Sequence, residues 1–259
     1  MKKQGGKKKP VKNTKKAETP WWMTVLYALS LSAFVFAAVV GVQFLISLII
    51  SFVLVRIIPI EALVTPLANS IFSVIAYGLS LVVVVLLPSV FFKDKIAKIT
   101  REKLGLRGLP TWTDMGLAPV GYIASVVIAS GLTALFNLTN WFNAGEAQEL
   151  GYSLYMQGWE RALAFIMLAV IAPIAEEIVF RGWLYGKLRV KIPKWAAILI
   201  TSFLFGLVHM QWNVGITVFS MSVVNCLLRE VTGTIYAGIL VYILNNSIAF
   251  YLVYVMGVG

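Results

Sequence analysis

The chain has one histidine and one cysteine in 259 residues, and only 13% of its residues are charged. The lone cysteine, Cys226, excludes an internal disulfide. One His beside one Cys also argues against a zinc site, which usually draws on two or more such ligands. With 59% hydrophobic residues and a mean hydropathy of +0.86, the scarcity of charge excludes an ordinary soluble domain. The apolar stretches are continuous and do not alternate with period two, which excludes a transmembrane β-barrel. No internal repeat or low-complexity core stands out.

What is present is a series of apolar runs of about 18 residues or more, each able to cross a hydrocarbon core about 30 Å thick. They predict an all-α, polytopic transmembrane helical bundle. The spans fall at roughly 22–56, 66–92, 115–137, 160–186, 195–211, 213–229 and 234–257, so seven to eight are expected. The first, about 35 residues at 1.5 Å each, is either one long tilted helix or two short passes.

Charge orients the bundle. Eight lysines in the first sixteen residues face only Glu18, so residues 1–20 read as a basic, disordered cytoplasmic tail. It acts as a topology signal and offers contact with anionic lipid; nucleic acid is not an expected partner. The apolar stretch from Trp21 to Ile60 is far longer than the h-region of a cleaved signal peptide, about 7–15 residues. Lys93 to Arg107 holds six basic residues against Asp94 and Glu102, and Lys187 to Lys194 holds four and no acid. The alternate loops carry Glu61, Glu146, Glu149 and Glu160. A multi-pass protein of the cell membrane with a cytoplasmic N-terminus follows, Arg56 being a small exception. Trp21, Trp22, Trp112, Trp141, Trp159, Trp183, Trp195 and Trp212 all fall near span boundaries, as an interfacial belt would place them.

Against this background Glu176 and Glu177 are conspicuous. An ionised carboxylate at membrane depth costs roughly 2.5–3.5 kcal/mol by insertion scales, so two adjacent ones mark a site. Arg181 lies four residues after Glu177, on the same helical face, and can neutralise it; Glu176 points about 100° away and is left for chemistry. His209 follows Phe205 by one turn in the fifth span, and in the last span Tyr242 and Asn246 are four apart and share a face. Measured from the inner span ends, Glu176, His209 and Asn246 lie roughly 16, 22 and 20 Å deep, so three helices carry polar groups to nearly one level. Facing lipid would be costly, so they should meet inside the bundle. A carboxylate and an imidazole can activate a water, and an amide can donate to the oxyanion of a scissile peptide.

The strings Glu176-Glu177-Ile178-Val179-Phe180-Arg181-Gly182, Phe205-Gly206-Leu207-Val208-His209 and Thr232-Gly233-Thr234 leading to Asn246 resemble the three signature segments of the CAAX prenyl protease and bacteriocin-processing (CPBP, or Abi) family of intramembrane endopeptidases. The resemblance covers roughly residues 155–254, after N-terminal spans and a basic loop over 21–154. Upstream, Leu104 to Leu109 is similar to a run that family members often carry. The resemblance implies a bundle of about eight helices, with Glu176 and His209 activating the water and Asn246 stabilising the oxyanion. Tyr242 stands where the family usually has a histidine; a phenol can still donate to an oxyanion, but is a poor metal ligand. Glu177 with Arg181 is the expected supporting pair.

The reading is therefore an intramembrane endopeptidase acting on a peptide or membrane-protein substrate, with no cofactor expected and a catalytic metal as the lesser alternative. A second reading is a non-catalytic relative serving bacteriocin self-immunity or regulating a membrane partner. A third, a proton-relaying transporter or channel, needs a polar path to both faces, which the apolar outer halves of the spans do not offer.

Overall fold

The structure, a computed structural model, describes residues 20–91, 99–146, 152 and 155–257. The Lys-rich tail, apart from Pro20, and the part of the basic loop at 92–98 lie outside the described residues. Seven helices organise the rest: α1 Trp21–Phe52, α2 Pro66–Val90, α3 Trp112–Phe136, α4 Gly158–Lys191, α5 Lys194–Leu207, α6 Trp212–Thr232 and α7 Tyr236–Tyr254. All but α5 are long and apolar enough to cross a membrane. The protein is a polytopic helical bundle.

The first span is one continuous helix. Its 32 residues rise about 48 Å at 1.5 Å each, more than the bilayer core, which calls for tilt. Only Ala28, Val35 and Val42 of α1 are buried, a stripe repeating every seven residues along one side. At 14 residues α5 rises about 21 Å, too little to span alone. His209 therefore sits just beyond the helix, in a turn that bends through Met210 at φ 54°.

Helix starts and breaks follow local chemistry. The Thr111 hydroxyl accepts from the Asp114 N–H and the Asp114 carboxylate accepts from the Thr111 N–H, a reciprocal cap that begins α3. Asp114 also accepts from the Thr234 hydroxyl at 3.0 Å, which ties the start of α3 to the start of α7. Gly233 ends α6 at φ 72°, a left-handed cap that suits glycine. Thr232-Gly233-Thr234 is thus a structural corner. Within α4, π-helical turns run over Ile166–Ile171 and Ile178–Tyr185, on either side of the glutamates.

One hydrophobic cluster joins α1 and α2 (Val35, Val84) to the later helices (Leu184, Phe205, Val241). Leu104 belongs to it as well, and the loop around it is stitched to the bundle: the Gly105 carbonyl accepts from the Ile235 N–H and the Gly108 carbonyl from the Tyr236 hydroxyl. Trp183 corrects the expected belt. It is 4% exposed and packs against Phe34, whereas the other seven tryptophans are exposed. Its place four residues before the basic run that starts at Lys187 hid the fact that its face points to the core.

Candidate active site

The two adjacent glutamates separate as helical geometry requires. Glu177 is fully buried and pairs with Arg181 at 2.9 Å. The Asn225 side-chain amide donates to Glu177 at 2.9 Å and to the Gly238 carbonyl at 3.2 Å. Arg181 lies over the Phe205 ring, 4.2 Å from its centroid, so a second favourable contact holds the buried guanidinium. One turn closer to the basic loops, Arg229 donates to the carbonyls of Arg181, Gly182 and Lys103. These groups fill the bundle on one side of Glu176.

Gly238 makes this layer possible. A Cβ there would sit 2.9 Å from Glu177 Oε2 and 3.2 Å from Asn225. Gly238→Ala is expected to cost about 1–3 kcal/mol as an overpacking change, read as a lower melting temperature of the purified protein in detergent. A melting temperature equal to the native value would show that the pair has room to move.

Glu176 faces the other way, into a cavity of about 1030 Å³ that His209, Tyr242 and Asn246 also line. Glu176 is not without partners, however. The Tyr77 hydroxyl donates to Oε1 at 3.0 Å and the Tyr242 hydroxyl to Oε2 at 2.5 Å. Tyr77 comes from α2, 99 residues away in sequence, and nothing in the sequence pattern singled it out. Tyr242 has one proton and gives it to Glu176, so here it holds the carboxylate and does not present a free donor to an oxyanion.

His209 Nδ1 donates to the Phe205 carbonyl at 2.8 Å; a carbonyl only accepts, so in the neutral ring Nε2 is the acceptor. Its ring also packs edge-on against Phe205, centroids 5.1 Å apart. Phe205 thus touches both the buried pair, through Arg181, and the cavity residues His209 and Tyr242. Asn246 donates to the Leu168 carbonyl at 2.8 Å and accepts from Asn245. The reason lies in Pro173: in a π turn the Leu168 carbonyl would receive the N–H five residues on, and proline has none. One Asn246 N–H is spent on that carbonyl and one remains.

Residues 157–248 match the family model described as type II CAAX prenyl endopeptidase Rce1-like. The matched segment is about a third of the chain and is similar to that family. The match bears out the family resemblance carried by the signature strings, and at family level it points to a CAAX-type intramembrane protease in a lipid bilayer with a peptide as substrate. No curated protein and no solved structure gives a significant match. The matched segment contains Glu176, His209, Tyr242 and Asn246, while Tyr77 lies outside it. Among the described residues no group of three or more His, Cys, Asp or Glu side chains gathers. One carboxylate and one imidazole do not fit a catalytic zinc site, which draws on three protein ligands.

Proposed function

We propose that the protein is an intramembrane endopeptidase that hydrolyses a peptide bond with a water activated by Glu176 and His209. The observation that supports this best is the shared cavity: a carboxylate on α4 and an imidazole whose Nε2 is an acceptor, both lining one space within the bundle. A water between two acceptors can donate to both, and its oxygen is then ready to attack a scissile carbonyl. The attack forms the C–O bond and moves the carbonyl π electrons onto oxygen. The remaining Asn246 N–H can donate to that oxyanion. Collapse breaks the C–N bond, and the proton taken from water passes to the leaving amine. No step is routed through a metal.

In this reading the two tyrosines position the carboxylate. Hydrogen bonds to a charged group are worth about 1.5–3 kcal/mol each. Tyr77→Phe and Tyr242→Phe are therefore each expected to lower kcat about tenfold with little change in KM, and the double variant should lose less than the product of the two, since both act through one group. Were Tyr242 the oxyanion donor, its loss alone would cost about 10²–10³ and Tyr77→Phe would be nearly silent. Steady-state kinetics on the three variants separate the two roles.

The non-catalytic reading draws on one observation, that both oxygens of Glu176 already accept from phenols. Mass spectrometry of peptides from membranes holding the native chain or Glu176→Gln decides between the two. Fragments present in the first and absent from the second support the protease; identical fragments in both would leave the cavity without a hydrolytic role.

A further inference from the structure

The lining of the cavity reaches the chain ends on one side of the bundle, its open end, and stops short of the described loops on the other. At its open end it is lined by Thr133 near the end of α3, Gly145 and Glu146 of the connection that follows, Asn213 in the first turn of α6, and Gly257 beyond α7. All of these belong to chain ends on one side of the bundle. Asn213 fixes that rim, donating to the Glu146 carbonyl at 2.6 Å, and Gln211 donates to the same carbonyl at 3.2 Å. Toward the other side lie the Glu177–Arg181 pair, Asn225 and Arg229, and then the docked Leu104 loop. Among the described residues, none from 99–111, 192–193 or 233–235 lines the cavity.

The two sides differ in charge. Among the described residues the closed side has Arg101, Lys103, Arg107, Lys187, Arg189, Lys191 and Lys194 against Glu102 and Glu230; the open side has Glu61, Glu146 and Glu160 with Arg56 and Arg161. Cytoplasmic loops carry the excess of Lys and Arg. The charged side chains that line the cavity are Glu146 and Glu176, and no Lys or Arg among the described residues joins them. Two carboxylates repel a third and attract a cation, Glu176 the more strongly because it lies within the bundle while Glu146 is exposed at the rim.

We propose that the cavity is entered from the extracytoplasmic side, and that its occupant is a neutral or cationic peptide segment presented on that face, with no free carboxylate near the bond cut. The occupant rests on the protease reading; the position of the mouth does not. A substrate ending in a cytoplasmic carboxylate would meet the closed end of the bundle and, inside, the wrong charge.

Two measurements test this. In a Cys226→Ser background, Gly145→Cys and Arg101→Cys are each treated in intact cells with a membrane-impermeant maleimide, with denatured samples as the control for reactivity. A Cβ at Gly145 would meet only Asn143 Oδ1, at 3.7 Å, so the rim should tolerate the change. Gly145→Cys should label from outside and Arg101→Cys only after permeabilisation. The reverse pattern overturns the orientation. In the second measurement, right-side-out vesicles receive two internally quenched apolar peptides that differ only in a Lys or a Glu beside the central bond. The Lys peptide should be cut with at least a tenfold higher kcat/KM, and equal or better cleavage of the Glu peptide overturns the charge preference. Labelling as expected with neither peptide cut would count against the protease reading and leave the mouth where it is.

Discussion

Glu176→Gln should remove peptide-bond cleavage while the protein still inserts and accumulates at native levels. A general base contributes typically 10²–10⁴-fold, and an amide cannot take the proton. The substitution keeps the shape of the side chain, and its carbonyl can still accept from one tyrosine while its NH₂ donates to the oxygen of the other. The fold should therefore be indifferent to it. Helix content and detergent melting temperature serve as the structural control, and turnover of a cleaved peptide as the readout. His209→Ala should show the same loss, because the water would keep one acceptor in place of two. Normal cleavage by either variant would be incompatible with the water-activation scheme.

Arg181→Ala is expected to act on the fold. It strands Glu177, fully buried and left with Asn225 as partner, and removes the guanidinium that covers Phe205. Breaking a buried pair by removing one member costs about 3–5 kcal/mol, while replacing both members with apolar groups of similar size is often neutral. Arg181→Met should thus lower the amount of protein in membranes severely, and adding Glu177→Met should recover much of it. Immunoblots of membrane fractions and melting curves of the purified variants measure this. Equal loss in the single and double variants would mean that the pair contributes more than mutual neutralisation, and that the layer beneath the cavity depends on its charges.

The contrast between the two glutamates explains how much of the site could be read in advance. Residues four apart on a helix are neighbours whatever surrounds them, so the Glu177–Arg181 pair and the common face of Tyr242 and Asn246 follow from spacing. Rise per residue likewise led to one expected level for Glu176, His209 and Asn246, and the three line one cavity. Spacing along one helix says nothing about what lies opposite. Tyr77 reaches Glu176 from α2, and Asn225 reaches Glu177 from α6, through the rotation of each helix about its axis. Both helices are apolar along most of their length, so hydropathy gave little phase to that rotation. The same lack of phase placed Trp183 at the interface when it packs in the core.

By itself, then, the sequence did not show the shortness of α5, expected as a span. It determined the membrane class, the places of six of the seven expected apolar helices, those long enough to span, the uneven placing of basic and acidic residues, and the residue types gathered at the cavity. These rest on hydropathy, chain length and charge, which are properties of one segment at a time. Only the tertiary structure decided what each polar group does. It set Tyr242 on Glu176, spent one Asn246 donor on the carbonyl that Pro173 leaves unserved, and docked the Leu104 loop on the bundle through Arg229. Buried donors and acceptors must find partners among whatever the packing brings near, and packing is a property of the whole bundle.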